Sequence, residues 1–239
     1  MPKLTSPRNN GIEYFQLLDM VSATTITAFV MKLINECRLS VRQRLLWIRH
    51  DVDHDLEKAR IMAAAEEEHD RIATYLFLHT ADYWQSSDFP GAIKDISRMG
   101  HNIGLHNNAM VASCKNGGKD PLEIIEDAKK RLEDITGYAI YCTSAHGDKY
   151  CHAHGFLNYD IWDRKTLNAF KLFEAYFVRR DAYLTDSGAK WRGQLRDKIP
   201  PFEQFEDWMS PGDTISKFNG MEAGIMQLLV HPFWWEVKR

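Results

Sequence analysis

The sequence Leu-Leu-Trp-Ile-Arg-His-Asp-Val-Asp, residues 45–53, starts as an apolar run and ends in charged side chains. A short apolar run of this kind is typical of a strand buried in a parallel sheet. From Asp55 to about Glu68, apolar side chains then recur at helical spacing. We therefore expect a buried strand that delivers polar groups from its carboxyl end and leads directly into a helix.

Further strand and helix signals alternate along the chain. A second apolar, β-rich run covers residues 72–78, and another strand is expected at about residues 139–144. Between them, Asp120 and Pro121 mark the start of a helix and Gly137 marks its end. Strands that alternate with helices predict an α/β fold with a mainly parallel sheet, either open and doubly wound or closed as a barrel.

The composition is that of an ordinary globular protein. The chain has 239 residues, which suits one domain over residues 1–239. Hydrophobic residues make up 44% and charged residues 26%, values that argue against the disordered, fibrous and membrane classes. The net charge of −3 argues against a nucleic-acid partner, because proteins that bind nucleic acids usually carry a basic face.

Three further features bear on the compartment. The least polar segment, residues 21–34, is too short and too interrupted to span a bilayer, and it predicts an amphipathic core helix instead. Residues 1–10 lack the apolar region and the cleavage site of a secretory signal. The cysteines show no Cys-x-x-Cys spacing and are too sparse for a disulfide scaffold; they are Cys37, Cys114, Cys142 and Cys151. We therefore expect a cytoplasmic protein with no membrane span.

Side chains that bind metals or transfer protons follow four of the apolar runs. They are Asp51 and Asp53 after the first strand, His106 after residues 102–105, His146 after residues 141–144, and His231 after residues 225–230. Parallel α/β folds place their chemistry at the carboxyl ends of the strands, so these groups are candidates for one site. His101 and His106 are five residues apart and face opposite sides of a strand, so His101 is expected to be a packed histidine.

Asp51 and Asp53 lie two residues apart, so on a strand both carboxylates point to one face while His50 and Val52 point to the other. Two adjacent carboxylates repel each other unless a proton or a cation lies between them. A metal ion beside Asp53, with Asp51 left free as a base, would relieve this repulsion. The alternative interpretation of an Asp-x-Asp sequence is a solvated turn that ends in a helix cap.

Four segments together form a recognisable pattern. They are Arg-His-Asp-Val-Asp at 49–53, Gly-His-Asn-Ile-Gly-Leu-His at 100–106, Ser-Ala-His-Gly at 144–147 and Leu-Val-His-Pro at 229–232. The pattern resembles the polysaccharide deacetylase family with the NodB-homology fold, also called carbohydrate esterase family 4. It is closest to a divergent branch in which an Ala-Thr-Tyr strand, as at 73–75, follows the first motif. The resemblance covers roughly residues 11–236 and implies an α/β fold, a distorted (β/α) barrel of the NodB-homology type with mainly parallel strands.

The resemblance also implies a site and its chemistry. A divalent metal ion is held by one Asp and two His, a second Asp acts as the base and a late His acts as the acid. Carried over, Asp53 and His106 resemble metal ligands, Asp51 resembles the base and His231 resembles the acid. Zinc is the expected ion, with iron, manganese, cobalt and nickel as alternatives.

Two positions depart from the family pattern. Met110 stands where the second motif usually carries another histidine, and methionine is a poor ligand for zinc. His146 could supply the missing ligand, since catalytic zinc needs only three protein groups and an open position. The third motif also lacks its usual base-steering arginine, for which Arg49, or Asp186 together with Arg192, could compensate.

The expected reaction is hydrolysis of an amide carbon–nitrogen bond, chiefly N-deacetylation of an amino sugar or a sugar-linked precursor. The substrate would be a small molecule or an oligosaccharide. Stacking on a sugar face is one interpretation of four tryptophans, and packing in the core or rim is the other; they are Trp84, Trp191, Trp234 and Trp235.

Two alternatives to an amide hydrolase stay open at the level of sequence. One is a non-catalytic protein that uses the NodB fold to bind a glycan or a partner. The other is a metal phosphohydrolase of the His-Asp type, suggested by the pairs His50-Asp51 and His69-Asp70, although that site needs its pairs on helices. The oligomeric state is unknown at this level.

Overall fold

The computed structural model describes residues 3–5, 13–36, 38–115, 117–195 and 208–238. The features interpreted at residues 1–2, at residues 6–10 and at Cys37 lie outside these ranges. Within them, no helix is both long enough and apolar enough to cross a membrane.

Strands and helices alternate through most of the described chain. The strands are β1 (Lys3–Thr5), β2 (Thr24–Thr25), β3 (Arg44–Val52), β4 (Ala73–Leu78), β5 (Asn102–Asn107), β6 (Cys142–Ala145), β7 (Phe173–Glu174), β8 (Ala182–Thr185), β9 (Arg192–Leu195), β10 (Gly224–Val230) and β11 (Glu236–Lys238). The α-helices are α1 (Tyr14–Met20), α2 (Ala28–Asn35), α3 (Leu56–Glu68), α4 (Phe89–Arg98), α5 (Ala109–Lys115), α6 (Pro121–Thr136), α7 (Lys149–His154), α8 (Arg164–Phe170) and α9 (Pro211–Asn219).

The main sheet has the strand order β7-β6-β5-β4-β3-β10-β8-β9, and β2 also pairs with the start of β3. Neighbouring strands are parallel except β8 and β9, which are antiparallel. The sheet curls into a half-barrel with helices around it, and this confirms the predicted distorted (β/α) barrel. A separate antiparallel pair joins β1 and β11.

Strand β3 is central to the sheet, and both of its faces are buried, as its apolar sequence predicted. Leu46 and Ile48 belong to one core cluster, which packs between the sheet and the helices outside it. Trp47 belongs to a second cluster inside the half-barrel, and its Nε1–H donates to Oγ1 of Thr74 at 3.0 Å. Alternation along the strand therefore directs the side chains of residues 47, 49 and 51 into the half-barrel.

A buried polar cluster lies on the outer face of β3, opposite the half-barrel. Its centre is the Glu66 carboxylate, which lies 2.8 Å from Nε2 of His50 and accepts hydrogen bonds from the hydroxyls of Tyr75, at 2.7 Å, and of Tyr14. His101 packs beside this cluster, with Nε2 2.9 Å from the carbonyl oxygen of Ala63. His101 is therefore the packed histidine that the sequence predicted.

The predicted helices around residues 55–68 and 121–136 are confirmed, and so are the start of the second helix at Asp120 and its end at Gly137. The Asp55 carboxylate accepts from the backbone N–H of Lys58 at 3.0 Å, so Asp55 caps α3. Asp120 caps α6 in the same way, and Gly137 ends that helix in the left-handed region at φ 77°. A left-handed residue after the last turn favours glycine because glycine has no Cβ to clash.

The helix predicted over residues 21–34 is wrong in its first half. Helix α2 begins only at Ala28, and the Thr27 side chain caps it by accepting from the N–H of Val30 at 3.3 Å. Residues 24–25 form β2, whose Thr24 pairs with Leu45 of β3. Threonines favour strands and caps because their branched, hydrogen-bonding side chains fit poorly inside a helix, and pairing with β3 uses that preference.

Candidate functional site

The carboxyl ends of the parallel strands bring the predicted site residues together. Asp51 lies at the end of β3 and His106 at the end of β5, whereas Asp53, His146 and His231 follow β3, β6 and β10. Strands β3 and β5 are separated by β4, so only the curl of the sheet lets their carboxyl ends face each other. The five groups predicted from the ends of separate apolar runs therefore belong to one neighbourhood.

Asp53, His106 and His146 form a cluster that could hold a metal ion. One ligand atom from each of them lies within 4.8 Å of the others. Oδ1 of Asp53 is 3.2 Å from Nε2 of His106 and 3.5 Å from Nδ1 of His146. The two imidazole nitrogens are 3.1 Å apart. The structure thus groups the carboxylate and the two histidines that the sequence nominated as ligands.

The chemistry of these donors fits a divalent cation such as zinc. Oδ1 of Asp53 is buried without a hydrogen-bond partner among the described residues. Nδ1 of His106 lies 2.9 Å from the carbonyl oxygen of Ser144, which can only accept, so Nδ1 donates its proton there and the ring presents Nε2 to Asp53 and His146. A buried carboxylate oxygen and imidazole nitrogens that converge on one point are ligands that zinc accepts.

The glycine before His106 lets β5 reach this position. A Cβ on Gly104 would lie 2.8 Å from the carbonyl oxygen of Cys142, closer than real Cβ atoms approach backbone. The approaching group is the backbone of the neighbouring strand β6. Gly104 therefore sets the spacing between the strands that carry His106 and His146.

Asp51 has a different environment from Asp53. Arg49 donates to both of its oxygens, with Nε 2.8 Å from Oδ1 and Nη2 2.5 Å from Oδ2. Burial alone would raise the pKa of Asp51, but the charges of Arg49, His106 and His231 and the hydrogen bonds from Arg49 together lower that pKa below its usual value. Arg49 also donates to Oγ of Ser144. Asp51 is therefore an ionised carboxylate held beside the metal cluster, with Oδ2 3.6 Å from Nε2 of His106.

His231 is held by Asp186, a fully buried residue at the end of β8. Nδ1 of His231 lies 2.6 Å from Oδ1 of Asp186, and the backbone N–H of His231 donates to the same carboxylate at 3.1 Å. The indole of Trp235 donates to the other oxygen at 2.9 Å. Burial alone would lower the pKa of His231, but the charge and hydrogen bond of Asp186, together with the charges of Asp53 and Asp51, raise it to about 9.

The other residues that the sequence proposed for the site have contacts outside the metal cluster. Arg192 is exposed and its guanidinium lies 5.6 Å from the centre of the Trp208 ring. The Trp191 ring packs 5.9 Å from that of Trp235. Trp84 and Trp235 are buried in the main core, so they pack as the alternative interpretation expected. Trp234 is half-buried next to the exposed Phe233.

The phosphohydrolase alternative lacks its geometry in this fold. His50 and Asp51 lie on strand β3 and point to opposite faces, where one contacts Glu66 and the other contacts Arg49. His69 is the residue that ends α3. A His-Asp pair whose members face opposite sides of a sheet cannot hold one ion between them.

Open space adjoins the metal cluster. A cleft of about 420 Å³ is lined by Asp53 and His146 together with polar side chains from three loops, among them Thr80, Asn108 and Asp148. Small-molecule ligands are commonly bound in clefts of about this size. A metal-binding cluster that adjoins this cleft, with an ionised carboxylate and a histidine held by an acid close to the cluster, can support hydrolysis.

Sequence reasoning did not identify two parts of this arrangement. It named Asp186 only as a supporting residue and did not connect it with His231, because the two are far apart in sequence. It also assigned nothing to Glu174, a buried carboxylate that accepts from the backbone of Ala145 at 3.1 Å. No motif marks Glu174, and only the pairing of β6 with β7 brings it to this site.

The sequence matches no protein-family model and no curated protein. Among solved structures, a CE4 esterase from Streptococcus mutans matches with a TM-score of 0.54 at 13% sequence identity, over 87% of this chain and 80% of that chain. BA3943, a CE4 family pseudoenzyme from Bacillus anthracis, matches with a TM-score of 0.46 at 11% identity, over 90% of this chain and 60% of that chain. This chain thus spans about three fifths of BA3943. The likeness shows the fold of carbohydrate esterase family 4, as the sequence motifs predicted.

Proposed function

We propose that this chain is a metal-dependent hydrolase that cleaves an amide carbon–nitrogen bond, with N-deacetylation of an amino sugar as its reaction. The observation that carries the proposal is the cluster of Asp53, His106 and His146, flanked by the ionised Asp51 and by His231. The CE4 fold supports the choice of reaction class, and the side chains at the carboxyl ends of the strands supply its chemistry.

We propose that Asp53, His106 and His146 hold the ion and that it is zinc. When bound, the ion lowers the pKa of a water molecule and polarises the amide carbonyl. Asp53 contributes a buried oxygen without another partner, and each histidine contributes one ring nitrogen. His146 thereby takes the place of the histidine that Met110 replaces in the second motif.

Asp51 and His231 transfer the protons in this proposal. Asp51 accepts the proton of the attacking water, because the Arg49 guanidinium keeps the carboxylate ionised. His231 donates a proton to the departing amine, because Asp186 keeps the imidazole protonated at neutral pH. Arg49 orients the base through two hydrogen bonds. It thereby takes the role that an arginine of the third motif would have.

The proposed substrate is a small-molecule or oligosaccharide amide of the N-acyl amino sugar class. The cleft beside Asp53 and His146, about 420 Å³ in volume, carries polar groups in its lining that can bind sugar hydroxyls. The exposed Phe233 and the half-buried Trp234, next to His231, present aromatic surface of the kind that stacks on sugars.

Metal content tests the ligand set directly. Elemental analysis of the purified wild type should find about one zinc ion per chain, and His106→Ala and His146→Ala should each lose it. His152→Ala is the matched control, since His152 is exposed on the helix that follows His146 and should leave the metal content unchanged. Full retention of metal in His146→Ala would remove His146 from the ligand set.

Turnover tests the reaction. The metal-loaded wild type should release acetate from N-acetylglucosamine oligosaccharides or a related N-acetyl amino sugar, and the metal-free protein should not. Wild-type protein that binds zinc and a glycan but hydrolyses no N-acyl sugar would support the non-catalytic alternative. Protein that binds no transition metal, even after supplementation, would overturn the proposal.

A further inference from the structure

A buried carboxylate on the edge of the half-barrel has no place in the proton transfers described above. Glu174 ends strand β7 and is only 1% exposed. Its Oε1 accepts from the backbone N–H groups of Ala145 at 3.1 Å and Tyr176 at 3.2 Å, and its Oε2 accepts from the indole Nε1–H of Trp162 at 3.1 Å. One side chain thus connects three separate segments of the chain.

The first of these connections leads to the metal cluster. Ala145 immediately precedes His146, whose own N–H donates to the carbonyl oxygen of Asn107 at 2.7 Å. The carbonyl oxygen of His146 accepts from Nδ2 of Asn158 at 2.9 Å. Glu174 therefore completes a set of hydrogen bonds that fixes the backbone on both sides of His146, at the point where the chain leaves β6.

The second connection leads to the base. The ring of Tyr176 lies with its centre 4.9 Å from Cζ of Arg49, and Arg49 holds both oxygens of Asp51. By fixing the backbone of Tyr176, Glu174 also fixes the aromatic face against which the guanidinium rests. The two connections share one oxygen atom, Oε1, so a change in Glu174 displaces both.

A carboxylate side chain suits this position because its two oxygens can only be approached by donors here. All three partners of Glu174 donate a hydrogen, and a carboxylate accepts all three, whereas an amide at this position would direct an NH₂ group toward one of them. Burial raises the pKa of Glu174 to about 7, and the N–H donors and Arg49 act against that rise.

We propose that Glu174 is a positioning residue that sets the orientation of the ligand His146 and of the Arg49–Asp51 pair, and that it thereby tunes metal affinity. The inference rests on the proposed function, since it assigns Glu174 to the same metal site. Groups that orient metal ligands from the second layer typically change metal affinity by about 10–100-fold when they are replaced.

Glu174→Gln tests the proposal, with Glu66→Gln as the matched control. Glu66 is equally buried and also accepts two hydroxyl hydrogen bonds. It belongs to α3, and its carboxylate packs against the outer face of β3, away from the ligands. The dissociation constant for Zn²⁺, from competition with a chelating dye, should rise about 10–100-fold in Glu174→Gln. In Glu66→Gln it should stay within about threefold of wild type, since no ligand is displaced.

Two further measurements separate positioning from general loss of structure. The visible spectrum of the Co²⁺-loaded protein should change in Glu174→Gln and stay as wild type in Glu66→Gln, because that spectrum reports ligand geometry. In Glu174→Gln the new NH₂ group faces the indole N–H of Trp162. Adding Trp162→Phe removes this conflict between two donors and should restore part of the lost affinity.

Each result decides the proposal. Wild-type affinity and an unchanged cobalt spectrum in Glu174→Gln would overturn it, as would an equal loss of affinity in Glu66→Gln. If Glu174→Gln does not fold, Glu174→Asp keeps the carboxylate but withdraws it from the N–H groups of Ala145 and Tyr176, and should still weaken zinc binding by several-fold; unchanged affinity there would overturn the proposal. Wild-type protein that binds no metal overturns the proposed function itself, and this inference with it.

Discussion

Asp51 lies near the end of β3 and Asp53 directly follows that strand, yet the surroundings of the two carboxylates give them different chemistry. Arg49 donates to both oxygens of Asp51, whereas Oδ1 of Asp53 is buried without a hydrogen-bond partner in the described chain. The first carboxylate is therefore held as a base, and the second is available as a ligand. The ion pair between Arg49 and Asp51 reduces the repulsion between the two adjacent carboxylates.

This difference predicts the effect of Asp51→Asn. The variant should keep its zinc but lose turnover by about 10²–10⁴-fold, since the amide cannot accept the proton of water. Elemental analysis and acetate release measure the two properties on the same sample. Loss of metal in Asp51→Asn would instead make Asp51 a ligand. The variant should also be less stable, because Arg49 is left as a buried charge without its partner.

The contact between Asp186 and His231 predicts a pH dependence. His231 must be protonated to act as an acid, so the rate falls as the pH rises through its pKa, which Asp186 raises to about 9 against the opposing effect of burial. Asp186→Asn removes this charge and should shift the alkaline limb of kcat/KM to lower pH. The control is Glu222→Gln, at an exposed carboxylate, which should leave the profile unchanged. Identical alkaline limbs in wild type and Asp186→Asn would contradict the role given to His231.

At the level of the secondary-structure elements, the site depends on how closely β5 and β6 approach. Gly104 permits this approach, since a Cβ there would lie 2.8 Å from the carbonyl oxygen of Cys142. Gly104→Ala should therefore push the two strands apart and destabilise the fold by about 1–3 kcal/mol. His106 lies two residues further on, so the same variant should bind zinc more weakly than wild type.

Gly91→Ala is the matched control for this prediction. Gly91 lies on α4 with nothing within 4 Å of a Cβ, so alanine there should stabilise the protein by about 0.5–1 kcal/mol through its helix preference. Urea unfolding measures both variants, and zinc titration distinguishes the effect on β5 from the effect on stability. Equal free energies of unfolding in Gly104→Ala and Gly91→Ala would show that β5 can move away from β6 without loss of stability, and would contradict the prediction.

At the level of the whole molecule, the metal cluster connects strands that are distant in sequence. Asp53 follows β3, His106 ends β5 and His146 follows β6, so an ion bound by all three crosslinks one wall of the half-barrel. A ligand that binds only the folded state stabilises it, by about 2.7 kcal/mol when its concentration is 100 times the dissociation constant.

Zinc should therefore raise the thermal midpoint of the wild type, by several degrees at saturating concentration. His106→Ala should show no such rise, and the exposed His152→Ala should behave as wild type. Differential scanning calorimetry with and without a chelator makes the comparison. An equal rise in His106→Ala would place the stabilising ion elsewhere on the molecule.

Much of this fold could be predicted from local patterns. The apolar run that becomes β3, the helix that follows Asp55, the cap at Asp120 and the stop at Gly137 depend only on neighbours in sequence, and the structure confirms them. The helix predicted over residues 21–34 failed in its first half because β2 gains a partner in β3, and a long-range pairing of this kind has no local signal.

By itself, the sequence determined the alternation of strands and helices and the chemical groups that close each strand. These follow from periodicity and composition, which act between near neighbours. Only the tertiary structure decided which of those groups meet: His146 beside Asp53, Asp186 against His231, and Glu174 behind Ala145. The physical reason is the curl of the sheet, since short-range contacts among these side chains depend on how strands far apart in the chain are ordered and tilted.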